Sequence, residues 1–137
     1  MVSLMGYEMA LKKSGIPVDE SIIIKADFNL DKAYEETKKL IACHPEIDGL
    51  FCASDFMALG TLNALQEMGK NVPDKVSVFG SDGIVLGEYS NPPLSTVKQD
   101  NLRKGYSAAR LLCGILSNSQ QERTVVVPCE IVLRNSD

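Results

Sequence analysis

The chain has 137 residues, of which 45% are hydrophobic and 23% are charged, and its formal net charge is -4. This length and composition are typical of one soluble globular domain with a hydrophobic core. The acidic balance argues against direct nucleic-acid binding, because phosphate recognition needs a basic surface. The sequence has neither a run of about 18 apolar residues nor a signal-peptide pattern, so we expect a cytoplasmic protein without membrane contact.

The cysteines and the histidine do not form a metal-binding pattern. No two cysteines have the C-x-x-C spacing, and His44 is the only histidine. A zinc site needs about four such ligands close together. We therefore expect no metal, no cofactor and four reduced thiols, at Cys43, Cys52, Cys113 and Cys129.

The first part of the chain predicts helices and a short strand. Residues 2–14 predict a helix that ends at Gly15, and residues 22–24 predict the first strand. A second helix opens at Asn29 or Asp31 and closes before a proline. A βα protein normally begins with a strand, so the leading helix suggests that earlier strands lie upstream of this chain.

A strand–helix–strand unit follows at residues 48–83. Residues 50–53 form an apolar run without alternation, as expected of a parallel strand that is buried on both faces. Ser54 and Asp55 supply N-cap oxygens for a helix, and Gly69 suits its left-handed C-cap. Residues 76–79 predict the next strand. Such a unit implies a right-handed parallel crossover.

The remaining sequence predicts a mixture of strands and helices after the break at Pro92–Pro93. A polar loop is expected at 117–121. The other predicted elements are a helical turn at 84–89, a strand at 94–98, a helix at 102–116, and strands at 125–127 and 131–133.

Polar or aromatic residues follow each of the first three predicted strands. Open parallel sheets bind ligands at the carboxyl ends of their strands, so these residues would share one edge. An aromatic ring can stack on a sugar or a base, and short polar side chains can bond hydroxyls. The alternatives are that Asp55 only caps a helix, that Asp82 only makes a turn and that Phe28 only fills the core. The three pairs are Asp27 with Phe28, Ser54 with Asp55, and Ser81 with Asp82.

Three motifs resemble those of the lactose-repressor (LacI/GalR) family of bacterial transcription regulators. Residues 52–60, CASDFMALG, resemble the family signature A-N-D-x-M-A-x-G. Residues 72–82, VPDKVSVFGSD, resemble V-P-x-D-[IV]-S-V-x-G-[YF]-D, and residues 92–99, PPLSTVKQ, resemble P-P-L-[ST]-T-[VI]-x-Q. The order and spacing also match. The resemblance covers essentially the whole chain, but only the later half of such a regulator.

The resemblance implies an α/β fold, a parallel sheet flanked by helices as in one subdomain of a periplasmic binding protein. In the family, a helix-turn-helix domain binds operator DNA and a small effector binds between two core subdomains. This chain would then sense a sugar or related metabolite, and would reach operator DNA only through an absent N-terminal domain. Residues 1–91 would be the C-terminal effector-binding subdomain. Residues 92–120 would be a crossover strand and helix that pack on the missing N-terminal subdomain, and residues 121–137 would return as terminal strands.

The resemblance also implies an effector site. Asp82 matches the family's effector-contacting aspartate, and Phe28 matches the aromatic residue that packs on the ligand. Ser54 replaces a usual asparagine, Ser81 replaces a usual aromatic residue, and Ser3 replaces an arginine that would clamp the effector in a bidentate manner. We therefore expect an altered pocket. Its candidate effector-binding residues are Asp82, Phe28, Ser54, Asp27 and Ser81.

The helix after Ser54 predicts an assembly surface. Its leucines can face the sheet, but its other side is small and apolar where a surface helix should be charged. In the family, this helix and the loop after the strand predicted at 76–79 form much of the dimer interface. The alternative is that another element of the same chain covers this side. The expected homodimer interface comprises Met57, Gly60, Thr61, Ala64, Ile84, Val85 and Leu86.

Two other classes of protein fit the sequence less well. A periplasmic or lipoprotein sugar-binding protein would share the fold, but the unpaired cysteines and the motifs at 57–60 and 92–97 favour the regulator. An enzyme is disfavoured, because the sequence has no glycine-rich phosphate loop and no nucleophile–base pair around His44. We accordingly expect no catalytic residues.

Overall fold

The computed structural model describes residues 2–117 and 123–137 of the chain. The predicted loop at 117–121 lies mostly outside these residues. The described part forms a four-stranded mixed sheet with helices packed beside it. The strands are β1 (Gly49–Phe51), β2 (Ser77–Asp82), β3 (Ser95–Gln99) and β4 (Cys129–Val132). The α-helices are α1 (Val2–Lys13), α2 (Leu30–Cys43), α3 (Asp55–Glu67) and α4 (Asn101–Leu116), and short 3-10 turns occupy Glu20–Ile22 and Val85–Glu88.

The sheet confirms the predicted α/β class. Its strands follow one another in sequence order, from β1 to β4. The first three are parallel, and β4 is antiparallel to β3. An antiparallel edge strand on an otherwise parallel sheet is common in α/β folds.

The hydrophobic core lies between the sheet and α3. Leu62 and Leu65 of α3 are buried against Val76, Val78 and Leu94 from the sheet side. The next layer is α2, which packs along α3 and is joined to it by a buried hydrogen bond. The core is therefore built mainly from the strand–helix–strand unit that the sequence predicts, with Ile41 and Leu94 added from outside it.

The ends of α3 agree with their capping signals. The Ser54 hydroxyl accepts a hydrogen bond from the Met57 N–H at 3.2 Å, as an N-cap residue does. Met68 is the C-cap, and Gly69 after it has φ +67°. Glycine adopts this left-handed conformation without the steric cost that a Cβ would add.

The predicted strand at residues 22–24 is wrong. The Asp19 carboxylate accepts a hydrogen bond from the Ser21 N–H at 2.9 Å and caps a 3-10 turn that includes Ile22. The Ile23 N–H then bonds back to the Glu20 carbonyl at 3.2 Å, so it is not available to a sheet. Local capping therefore outweighs the β propensity of three successive isoleucines.

The predicted strand at residues 125–127 is also wrong. Residues 123–128 have no regular structure, and pairing with β3 begins only after Pro128. Cys129 pairs with Gln99 and Val132 pairs with Thr96, so the register already uses β3 up to its last residue. Residues before 129 have no length of β3 left to pair with.

β1 is an edge strand of the sheet. Its two faces are also not both buried, contrary to the expectation from the sequence. Leu50 is half-buried, and Phe51 is 48% exposed. Within the described residues, only β2 pairs with it. Apolar composition alone does not distinguish an edge strand from a central one.

The α4 helix has no buried residue among those described. Its apolar side chains are exposed, including Leu102, Tyr106, Leu112 and Leu116. The expected packing of residues 92–120 on another subdomain stays a prediction. None of the described helices is long and apolar enough to cross a membrane.

Candidate functional site at the carboxyl edge of the sheet

Ser54 and Asp82 lie at the same edge of the sheet. Phe51 of β1 is opposite Phe79 of β2 in a parallel register, and the Cys52 N–H donates to the Phe79 carbonyl at 2.8 Å. Ser54 comes three residues after Phe51, and Asp82 comes three residues after Phe79. Because the two strands run in the same direction, both side chains follow carboxyl ends, as the sequence predicts.

Hydrogen bonds and a backbone bend orient the Asp82 carboxylate. Asp82 ends β2 with φ +122°, which is unusual for a residue with a side chain. Its Oδ1 accepts a hydrogen bond from Gln99 Nε2 at 2.9 Å, and Gln99 Oε1 accepts one from Lys104 Nζ at 2.6 Å. The carboxylate is therefore a fixed acceptor at the end of a polar chain that links β2, β3 and α4.

Asp82 lies near the N-terminus of α3, and residues there affect its pKa. Partial burial raises the pKa of Asp82 above its usual value, and the negative charge of Asp55 raises this pKa further. The Lys104 charge and the Asp55 N–H act in the opposite direction. Asp82 is thus close to the residue that follows Ser54, which joins two of the predicted site residues.

Ser54 has a structural role at this edge. Its side chain is buried, and its oxygen is engaged as the N-cap of α3. A hydroxyl that accepts one hydrogen bond still has a proton to donate. Its burial limits how much of a ligand can reach it.

Asp27 and Phe28 form a strained turn that displays the aromatic ring. They have consecutive positive φ angles of +50° and +54°. Left-handed conformations of this kind cost about 1 kcal/mol or more for each residue with a Cβ. Phe28 is 66% exposed, which excludes core filling in this chain. The Lys32 ammonium bonds the Asp27 carboxylate at 2.5 Å and lowers its pKa.

The helix packing places Phe28 at the same end of the molecule as Ser54. The start of α2 lies against Gly60, in the second turn of α3, and Lys38 further along α2 pairs with Glu67 at the end of α3. The two helices therefore run in the same direction. Phe28 precedes α2, so it lies towards the N-terminal end of α3, where the predicted ligand edge is.

Ser81 is less clearly placed at this edge. It is half-buried within β2 and lies opposite Val97 of β3. Its hydroxyl forms no hydrogen bond to any residue that the structure describes. Successive residues of a strand point to opposite faces, so Ser81 and Asp82 do not present their side chains alike.

Asp55 has a structural role that the sequence did not predict. It was expected to cap its helix or to join the ligand edge, but the cap is Ser54 and the Asp55 carboxylate is fully buried. Thr96 Oγ1 and the Ile84 N–H donate hydrogen bonds to it at 2.6 Å and 2.7 Å. The sequence signals that could have indicated this role are Gly80 and Thr96, which belong to the motifs at 72–82 and 92–99.

The expected dimer surface is largely covered by α2. Gly60, Thr61 and Ala64 are buried. Thr61 Oγ1 lies 3.1 Å from the Thr37 hydroxyl of α2, and a Cβ on Gly60 would overlap the backbone of α2. These three residues are interior positions of this chain, which corrects the expectation that they face a partner. The alternative, cover by another element of the same chain, holds for them.

The remaining interface candidates differ in exposure. Met57 is half-buried and packs against the core, and Ile84 is half-buried with its N–H bonded to Asp55. Val85 is 67% exposed and Leu86 is 57% exposed, both in a 3-10 turn. An exposed apolar surface at this turn is the part of the predicted interface that can still meet a partner.

Comparisons with known proteins agree with this fold. Residues 3–136 match the model of the periplasmic binding protein-like domain. The HTH-type transcriptional repressor PurR of Vibrio parahaemolyticus is 36% identical over 134 residues, which are 97% of this chain and 40% of that protein. The chain therefore belongs to the family of periplasmic binding protein-like domains, in the form that LacI-family transcriptional regulators carry.

Two solved structures give the same assignment. A transcriptional regulator CelR–cellobiose complex superposes with a TM-score of 0.92 at 32% identity, over 98% of this chain and 41% of that one. A LacI-family regulator from Arthrobacter sp. FB24 in complex with lactose has a TM-score of 0.82 at 34% identity, over 93% of this chain and 48% of that one. The chain spans about 40% of the length of the curated relatives it matches. Those relatives are transcriptional regulators.

Proposed function

We propose that this chain is the effector-sensing part of a LacI-family transcriptional regulator and that its effector is a sugar or a related polyhydroxylated metabolite. The observation that carries the proposal is the oriented Asp82 carboxylate at the carboxyl edge of the sheet. A carboxylate held in place by its own hydrogen bonds can accept from ligand hydroxyls without losing rotamer entropy. The cellobiose and lactose complexes among the structural neighbours support the class of ligand.

The candidate residues have complementary roles in this proposal. Asp82 accepts hydrogen bonds from hydroxyls, and Phe28 offers an exposed ring on which a sugar face can stack. Ser54 donates its hydroxyl proton from the N-terminal end of α3. The Ser81 hydroxyl, which bonds no residue that the structure describes, is a further donor for the ligand. Asp27 helps to hold the strained turn through its ion pair with Lys32.

The partners of the regulator belong to the same proposal. Its homodimer contact includes the exposed Val85 and Leu86, with Met57 and Ile84 behind them. Operator DNA is bound in the cytoplasm by a helix-turn-helix domain of the longer protein, because the net charge of -4 disfavours DNA binding by this part. The exposed apolar face of α4, including Leu102 and Tyr106, packs on an N-terminal subdomain as part of residues 92–120.

A sugar titration tests the effector site. The amide resonances of the isotopically labelled chain are followed by NMR as cellobiose, and separately lactose, is added to millimolar concentration. We expect saturable shifts around Phe28, Ser54 and Asp82. An Asp82→Ala variant should lose these shifts, because the carboxylate supplies the oriented acceptor.

Asp74→Ala is the matched control for this titration. Asp74 is an exposed aspartate in the turn before β2, at the opposite end of that strand from Asp82. Its removal makes the same change of charge and should leave the sugar-induced shifts as in the wild type. Shifts that survive in Asp82→Ala, or no shifts with either sugar, would contradict the proposal.

A further inference from the structure

The buried Asp55 carboxylate connects three separate segments of the chain. It belongs to the first turn of α3, where the positive end of the helix dipole stabilises a negative charge. Its Oδ1 accepts a hydrogen bond from Thr96 Oγ1 on β3 at 2.6 Å. Its Oδ2 accepts one from the Ile84 N–H at 2.7 Å, just before the exposed 3-10 turn. Each carboxylate oxygen therefore fixes a different segment.

The surrounding backbone is shaped to admit this carboxylate. A Cβ on Gly80 of β2 would overlap Asp55 Oδ1 and would come within 3.0 Å of Leu94 Cδ2. No ion pair involves Asp55 within the described residues, so hydrogen bonds and the helix dipole offset the cost of burying its charge. Such a site is sensitive to the position of each donor.

The chain near these contacts carries the proposed effector-binding residue Asp82 and the proposed homodimer contact at Val85 and Leu86. Asp82 lies two residues after Gly80, where the missing Cβ leaves room for Asp55 Oδ1, and two residues before Ile84, whose N–H donates to Asp55 Oδ2. Val85 and Leu86 follow Ile84 directly and are exposed. Only Gly83 separates Asp82 from Ile84, so a displacement of Asp82 is transmitted along the backbone to the turn.

We propose that Asp55 is a positioning residue that holds Asp82 and the exposed turn at Val85 and Leu86 as one unit. An effector that moves Asp82 then also moves the turn. This coupling rests on the proposed effector site, whereas the mechanical link between Asp82, Ile84 and Thr96 through Asp55 does not. The coupling gives the regulator a route from its ligand edge to an exposed apolar surface.

The test compares Thr96→Val with Thr61→Val. Both threonines are buried and each has a hydrogen-bonded hydroxyl, but only Thr96 bonds Asp55. We expect the Ile84 amide of Thr96→Val to exchange with solvent deuterium about tenfold faster, because the loss of one donor loosens the carboxylate. The amide resonances from Asp82 to Leu86 should shift as well. Thr61→Val should change neither.

A second measurement uses the effect of the Asp55 charge on the pKa of Asp82. Asp55→Asn removes the negative charge that helps to raise the pKa of Asp82, and an asparagine oxygen can still accept from Ile84. Burial remains, and so do the cations of Lys98 and Lys104 on the adjacent elements. The pKa of Asp82, measured by NMR titration of its carboxyl carbon, should fall in this variant. It should be unaltered in Thr61→Val.

Addition of cellobiose completes the test. In the wild type, the sugar should shift the amides of Val85 and Leu86 together with that of Asp82. In Thr96→Val, the shift at Asp82 should persist and the shifts at the turn should weaken. Equal behaviour of Thr96→Val and Thr61→Val at Ile84 would overturn the role of Asp55. Failure of cellobiose and lactose to bind the wild type would instead contradict the proposed function, so the two ideas fail separately.

Discussion

Gly60→Ala tests whether α2 lies on α3 as the structure has it. A Cβ at residue 60 would overlap the Leu30 carbonyl oxygen and lie 3.1 Å from the Leu30 carbonyl carbon and 3.2 Å from the Tyr34 nitrogen. These are backbone atoms of α2, so no side-chain rotation relieves the overlap. The helices must move apart by roughly 1 Å to restore ordinary contact distances.

Two opposing contributions set the size of the effect. Alanine is a better helix former than glycine by about 1 kcal/mol, which would stabilise α3. Overpacking against a rigid partner costs about 1–3 kcal/mol and sometimes more, and an overlap with backbone belongs at the upper end. We expect the free energy of unfolding to fall by about 2 kcal/mol. With a urea slope of about 1.5 kcal/mol/M, the unfolding midpoint falls by about 1 M.

Gly105→Ala is the matched control for this prediction. Gly105 lies within α4, and a Cβ there would meet no atom within 4 Å. The same substitution should leave the midpoint unchanged or raise it, by at most about 1 kcal/mol in stability. Urea unfolding followed by circular dichroism measures both variants. If Gly60→Ala were as stable as Gly105→Ala, residue 60 would be a surface position and the packing of α2 on α3 would be refuted.

Three further predictions concern single side chains. Because burial and Asp55 raise the folded-state pKa of Asp82, protonation stabilises the fold at low pH and this contribution is lost as the pH rises through that pKa. Asp82→Asn keeps an acceptor for Gln99 and should therefore raise Tm at neutral pH. A gain in Tm that persists below pH 3.8, the ordinary pKa of an aspartate, would contradict this reasoning. Burial raises the pKa of the Cys52 thiol to about 11, whereas the other three cysteines are exposed. A thiol reagent at mildly alkaline pH should therefore label those three and should reach Cys52 only after unfolding. Rapid labelling of all four cysteines, counted by mass spectrometry, would refute the burial of Cys52. The buried Ser136 hydroxyl donates to the Val78 carbonyl at 2.6 Å and accepts from the Ser95 N–H at 2.8 Å. Ser136→Ala should cost about 2–4 kcal/mol in urea unfolding, and a loss below about 0.5 kcal/mol would mean that the C-terminal segment is not anchored there.

The assembly proposal also has to be tested at different residues than the sequence suggested. Ala64 is fully buried, so a charged side chain there would unfold the chain and would not report on a dimer. Val85 and Leu86 are exposed, and Val85→Glu is therefore the informative change. Light scattering should give the mass of a dimer for the wild type and of a monomer for Val85→Glu. A wild-type monomer would contradict the homodimer.

The sequence by itself determined the features that depend on local chemistry. The N-cap serine and the C-terminal glycine of α3 act within a few residues of the chain, so the ends of this helix could be predicted. The strand–helix–strand pattern at residues 48–83 predicted a parallel crossover, and the resemblance to the LacI/GalR family implied the α/β class. The predicted strand ends then placed Ser54 and Asp82 at the carboxyl ends of parallel strands, where the structure has them.

Only the tertiary structure decided which surfaces are covered and which polar groups meet. The small apolar side of α3 is compatible with a partner chain or with α2, and the choice depends on how a separate helix packs. Residues 22–24 have strand composition but no strand, because Asp19 caps a local turn instead. Asp55, Gly80 and Thr96 form one site although they are far apart in sequence. Their connection arises because a buried charge needs donors and space from whichever segments the fold brings beside it.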